Sequence, residues 1–150
     1  MSSDDQKSQQ GRDTSRRYFV DVWQKYRAGS ILQPLENLIA GVIIQHPEYH
    51  DLLEDHKSVV EADFDSESGA PNPFLHMGLH ITLQEQYGAD RPAGIRELYD
   101  LGLEKLADPH LLEHRMMESL GEVLWRAQRD QTMPNEEAYL EGLRQIVGSC

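Results

Sequence analysis

Apolar residues recur three and four positions apart along most of this chain, and several of the segments that carry them open with a proline. This spacing puts apolar side chains on one face of an α-helix, and proline is tolerated in the first helical turn but not in the interior. There is no strand-like alternation and no repeat with a period of roughly 20–50 residues. We therefore predict an all-α fold, a bundle of five to six helices.

The expected helices follow from these stripes and from the residues that begin or end helices. They run from near Thr14 to Gly29, from Pro34 to Pro47 with a short continuation over 48–56, over 73–87, from Asp90 to Ala107, from Pro109 to Gln131, and from Pro134 to Val147. Pro47 disfavours helical geometry at the residue before it, so it ends or kinks the second helix. Asp108 is the expected N-cap of the helix that begins at Pro109.

The remaining segments are polar. Residues 1–12 contain no apolar residue after Met1 and are predicted to form a disordered tail. The acids, serines, glycine and proline of 57–72 predict a solvated loop. The length of 150 residues suits one domain, which we expect over 13–150.

Charge and cysteine content exclude several classes of function. The net charge is −12, from 14 Lys and Arg against 26 Asp and Glu, which argues against binding to nucleic acid or to an anionic membrane surface. Neither a leader peptide nor a membrane-spanning run is visible, so we expect a cytoplasmic protein. The only cysteine is Cys150, which leaves no internal disulfide and no cysteine-based metal site.

Six of the seven histidines form pairs four residues apart, in "HPEYH" (46–50), "HMGLH" (76–80) and "HLLEH" (110–114). Side chains at this spacing project one turn apart from the same face of a helix. His76 and His80 flank the apolar stripe of their helix. His114 lies at the margin of another stripe, with Glu118 one turn further along the same edge.

Imidazole and carboxylate are the ligands that zinc, iron or manganese uses when thiolates are absent. Two packed helices that each present such residues can surround an ion. We therefore predict a divalent metal site (iron, zinc or manganese) centred on His76, His80, His114 and Glu118, with His46 and His50 as further ligands. His110, in the first turn of its helix, is interpreted as a surface residue. Four other glutamates are candidates for extra ligands or hydrogen-bond acceptors: Glu36, Glu48, Glu54 and Glu122.

One alternative to the metal site stays open. The histidine pairs can be packed, hydrogen-bonded residues without a metal, in which case the acidic chain is a helical interaction module for a protein partner. No HExxH, phosphate-binding glycine loop or nucleophile elbow occurs, so the sequence does not identify an enzyme or a substrate.

Trp23 and Trp125 are interpreted as core residues. The oligomeric state is left open.

The chain resembles a bacterial family, domain of unknown function 1841, over roughly residues 16–145. The resemblance depends on five motifs: "QPLE" (33–36), "HPEYH" (46–50), "NPFLHMGLH" (72–80), "DRPAGI" (90–95) and "EHRMMESLGEVLWRAQ" (113–128). It implies no particular activity, substrate or metal. In ligand type and helical architecture the chain also resembles hemerythrin-like and DinB-like metal bundles. Its motif order and spacing differ from both, so no ligand role is carried over from them.

Overall fold

The computed structural model of the protein describes the backbone of residues 3–54 and 72–150, and side chains from residue 15 onward. Over these residues it contains seven α-helices and no strand. The helices are α1 (Ser3–Arg27), α2 (Pro34–Ile44), α3 (His50–Glu54), α4 (Pro73–Ala89), α5 (Ile95–Leu106), α6 (Pro109–Asp130) and α7 (Glu136–Gly148), with a single 3₁₀ turn at Pro47–Tyr49. The prediction of an all-α helical bundle is confirmed, with seven helices rather than five or six.

The chain forms two compact units, residues 1–77 (unit 1) and 78–150 (unit 2). The boundary between them falls inside α4. Each unit has its own set of buried apolar residues and is described separately below. The prediction of a single domain over 13–150 stays a prediction.

Unit 1 packs α1 against α2 and α3. The buried apolar side chains of these three helices come from one face of each: Phe19, Val20, Val22, Trp23, Ile39, Ala40, Val42, Ile43 and Leu53. The expected helix ends hold, because α1 is followed by Gly29 at φ 72°, a left-handed conformation that glycine adopts without steric cost. Pro47 ends α2, and the chain makes its 3₁₀ turn before α3.

The first helix begins at Ser3, well before the start that was predicted near Thr14. Most of the segment that we interpreted as a tail is therefore helical in the structure. Its composition gave no sign of a helix because residues 3–13 contain no apolar side chain to form a buried stripe. Residues 57–71 of the predicted acidic loop lie outside the described residues. Asn72 follows them and caps α4, since its side-chain oxygen accepts the backbone N–H of Phe74 at 3.0 Å.

Unit 2 packs α5, α6 and α7 against one another. Its core also includes Leu83 from α4, and the other buried members are Ile95, Tyr99, Leu112, Met116, Met117, Leu120, Tyr139, Leu140 and Leu143. The approach of α6 to α7 is close enough that a Cβ at Gly142 would collide with the hydroxyl of Ser119. A larger residue at position 142 would therefore force Ser119 to move.

Capping residues account for most helix starts in unit 2. The carboxylate of Asp108 accepts the backbone N–H groups of His110 (3.1 Å) and Leu111 (3.2 Å), which confirms it as the cap of α6. The predicted start of α5 near Asp90 is wrong. Gly94 adopts φ 101°, which interrupts helical geometry and delays the helix to Ile95. Asp90 still stabilises the start of α5, since its carboxylate accepts the backbone N–H of Arg96 at 3.1 Å.

The interpretation of both tryptophans as core residues is only half right. Trp23 is buried, but Trp125 is 59% exposed and carries the guanidinium of Arg129 over its ring at 4.8 Å. Because successive residues turn by about 100° around a helix, Trp125 lies nearly opposite the buried Ala127 and the partly buried Val123. No helix within the described ranges is long and apolar enough to cross a membrane.

Candidate metal centre

The rings of three histidines of unit 2 lie close together: His80 from α4, and His110 and His114 from α6. The ring centroid of His80 lies 4.8 Å from that of His110 and 5.0 Å from that of His114. The His110 and His114 centroids are 4.2 Å apart. Each residue offers a ring nitrogen, and these atoms lie within 4.8 Å of one another. Ligand nitrogens around a tetrahedral zinc ion are separated by about 3.3 Å, so modest ring rotations would suffice to surround an ion.

Local sequence explains how these rings come to face each other. Asp108 and Pro109 fix where α6 starts, and this sets the direction in which His110 and His114 project from its first turns. His80 lies between the buried Met77 and Ile81 of α4 and is 0% exposed. A fully buried imidazole requires polar partners, because burying an unsatisfied polar group is costly.

One such partner is Glu113, a buried carboxylate on α6 that the sequence analysis did not single out. His80 Nδ1–H donates to Glu113 Oε1 at 2.9 Å, and Gln84 Nε2–H donates to the same oxygen at 3.1 Å. The hydroxyl of Tyr99 donates to Glu113 Oε2 at 2.6 Å. Three helices therefore supply the residues of one hydrogen-bond network beside the histidines.

Burial tends to raise the pKa of Glu113, but the hydrogen bonds from His80, Tyr99 and Gln84 outweigh it, and the net result is a pKa below the ordinary value of 4.5. Glu113 is thus ionised at neutral pH. Burial and the bond to Glu113 raise the pKa of Tyr99, which stays a protonated donor. Tyr99 and Gln84 are uncharged, and among the described residues no lysine or arginine pairs with Glu113. The carboxylate of Glu113 therefore places a negative charge beside the rings.

In unit 1 the structure brings His46 and His76 together, with ring centroids 5.0 Å apart. His46 is buried, and its Nδ1–H donates to the carbonyl of Val42 at 2.7 Å. The ring of Tyr49 stacks on it at 5.5 Å. Nε2–H of His50 donates to the carbonyl of Ile43 at 2.8 Å.

The predicted carboxylate ligand, Glu118, is exposed and lines a shallow groove of unit 2 with Glu122, Gly142 and Ser149. The structure does not bring it into the group of histidines. Two of the other candidate glutamates, both in unit 1, pair with cationic side chains instead. Glu36 pairs with Lys25 at 2.8 Å and Glu54 with Arg27 at 2.7 Å.

Sequence reasoning therefore missed His110, Glu113, Tyr99 and Gln84. Glu113 did leave a signal, since it falls on the apolar stripe of α6 with Met116, Met117 and Leu120. A charged residue on a buried stripe is rare unless it is paired. His110 was set aside for its place in the first helical turn, but only the packing around α6 reveals that this turn faces His80.

With the geometry established, comparison with known families adds one finding. A family model described as "Domain of unknown function (DUF1841)" matches residues 11–145. The chain belongs to this family. The match confirms the resemblance seen in the sequence and contains His80, His110, His114 and Glu113. No curated protein and no solved structure matches the chain.

Proposed function

We propose that this member of the domain of unknown function 1841 family binds a divalent transition-metal ion through His80, His110 and His114. One observation supports the proposal above all others, the approach of three ring nitrogens from two helices to within 4.8 Å of one another. Metal sites in helical proteins are commonly built in this way, from side chains on facing helices.

The ligand type narrows the choice of metal. Imidazole suits zinc, iron, copper and nickel, whereas manganese, calcium and magnesium prefer carboxylate and water. An all-imidazole set therefore favours zinc or iron over manganese. The ionised Glu113, hydrogen-bonded to His80, supplies a charge that offsets part of the charge of the ion. A bound zinc ion would act as a Lewis acid towards any substrate or water that reaches it.

The test measures metal content and zinc affinity on protein purified without an affinity tag. We expect close to one zinc or iron per chain, and we expect His80→Ala and His114→Ala to remove it. Glu85→Ala is the matched control, because Glu85 is exposed on the same helix as His80. Substoichiometric metal that added zinc, iron or manganese does not raise would refute the proposal, as would equal losses in His80→Ala and Glu85→Ala.

The prediction from the sequence that His46, His50, His76 and Glu118 also bind metal remains a prediction. Single alanine variants at these positions, measured in the same assay, test it. Glu118 is exposed in the groove described above, and wild-type metal affinity in Glu118→Ala would rule it out as a ligand.

A second candidate function is a metal-free interaction module for a basic protein partner. The net charge of −12 favours it, as do the large apolar side chains of Trp125 and Met133, which are 59% and 87% exposed on unit 2. Such a module needs no metal, so metal-free protein from the assay above would favour it over the metal site.

A further inference from the structure

We propose that Glu113 is a positioning residue, which fixes the nitrogen that His80 presents to the metal and thereby sets the affinity of the centre. This inference rests on the proposed metal site and deepens it. Glu113 acts through His80 and does not itself bind the ion.

The first step of the argument concerns the proton on His80. Oε1 of Glu113 accepts the N–H of Gln84 and lies 2.9 Å from Nδ1 of His80, so it faces this ring nitrogen as an acceptor and Nδ1 carries the hydrogen. In a neutral imidazole the other nitrogen then has the lone pair. The carboxylate therefore selects Nε2 of His80 as the metal-binding atom.

The second step concerns the orientation of the carboxylate. Oε1 accepts from both His80 and Gln84, and Oε2 accepts from the hydroxyl of Tyr99 at 2.6 Å. Three of the roughly four lone-pair sites of the carboxylate are thus in use. Because donors from α4 and α5 hold both oxygens, Glu113 is kept from turning towards the metal as a ligand.

The third step concerns charge. The hydroxyl and amide that also hold Glu113 are neutral, so a metal ion bound to His80 would place its positive charge beside the carboxylate, through the imidazole. Hydrogen bonding from a metal-binding histidine to a carboxylate raises the basicity of the ligand, and loss of such a partner weakens metal binding by about 10- to 100-fold.

The experiment compares zinc affinity, measured by competition with a chromophoric chelator, in the wild type and in Glu113→Gln. The amide can still accept from His80, but it is neutral and forms a weaker bond. We expect zinc binding to weaken by about 10- to 100-fold while stoichiometry is kept. The visible spectrum of the cobalt-substituted protein should shift, which a residue that only supports folding would not cause.

Tyr99→Phe is the second variant, since it loosens the carboxylate but leaves its charge in place. We expect a smaller loss of zinc affinity in this variant. Tyr139→Phe is its matched control, because that hydroxyl donates to Gln86 at 2.7 Å, away from the histidines, and its affinity should equal that of the wild type.

A nitrogen-15 NMR spectrum of the metal-free wild type supplies a readout that needs no variant. We expect a proton on Nδ1 of His80, and its absence would overturn the inference even if Glu113→Gln does not fold. Wild-type protein that binds no metal would refute the proposed function. Wild-type protein that binds zinc, with equal affinity in Glu113→Gln, would instead refute the positioning role alone.

Discussion

Glu36 in unit 1 and Glu113 in unit 2 are both buried carboxylates, but their partners differ in kind. Glu36 accepts from Lys25 at 2.8 Å and from the backbone N–H of Gln33 at 2.9 Å, at the start of its own helix. Lys25 is 52% exposed, so this ion pair reaches the solvent. Glu113 accepts only from side chains, and those of Tyr99 and Gln84 are neutral.

Under the proposed function, this difference separates a structural carboxylate from one that positions a metal ligand. The pKa of Glu36 is lowered first by the hydrogen bond from Lys25 and then by the backbone bond, and both of these partners serve to begin α2 and attach it to α1. The ammonium group of Lys25 thus balances the charge of Glu36 directly. Glu113 lies instead against the imidazole of His80, and under the proposed function a metal ion at the histidines would balance its charge.

The largest expected effect comes from His80→Ala in metal-free protein. This change removes a donor from a buried carboxylate and leaves a cavity, which together should lower the free energy of unfolding by about 3–5 kcal/mol. Lys25→Ala is the counterpart in unit 1 and should cost less, because water can replace an ammonium group that is half exposed. Urea unfolding followed by circular dichroism, with a chelator present, measures both. Equal losses would remove the distinction between the two glutamates.

A smaller effect is expected from the loss of one hydroxyl. Tyr99→Phe removes a hydrogen bond to a charged acceptor and should cost about 1.5–3 kcal/mol of unfolding free energy. Tyr139→Phe removes a bond to the neutral Gln86 and should cost about 1 kcal/mol. The same urea experiment compares them, and a cost for Tyr139→Phe that matched or exceeded that of Tyr99→Phe would show that Glu113 is not a charged acceptor.

The smallest effect concerns pH and Glu36. Because folding lowers the pKa of Glu36 below 4.5, its contribution is present above that pH and is lost as the pH falls through the folded-state pKa. Glu36→Gln should therefore flatten the acid-induced loss of stability in unit 1. Fluorescence of the buried Trp23, in a Trp125→Phe background, reports on this unit, since Trp125 is the other tryptophan. Identical acid transitions in both proteins would contradict the assignment.

Much of the fold could be predicted because helix boundaries depend on local chemistry. Gly29, Pro47 and Asp108 act within their own turns, so their effects are visible in the sequence. The start of α5 was misplaced because the left-handed Gly94 is a backbone choice that composition does not reveal. The first helix was predicted to begin too late because residues 3–13 have no apolar stripe.

The site was harder to predict, since spacing within a helix does not reveal which helix lies opposite. His114 lies four residues from both His110 and Glu118, so spacing alone could not show which of the two is its neighbour in the site. In the structure His110 joins the group of histidines, and Glu118 is exposed. Glu113 contacts a residue 33 positions earlier in the chain, and only tertiary packing brings them together.

Glu113 and His114 are neighbours in sequence but have different roles in the proposed metal centre. Since each residue turns by about 100° around α6, removal of one residue between Asp108 and Glu113 would bring His114 to the position of the carboxylate and Arg115 to that of the ligand. A guanidinium would then stand where an imidazole is needed. We therefore expect a one-residue insertion or deletion between Asp108 and Glu113 to disturb the proposed centre more than a substitution at an exposed position such as Leu111, and an insertion before Asp108 to leave the register of α6 intact.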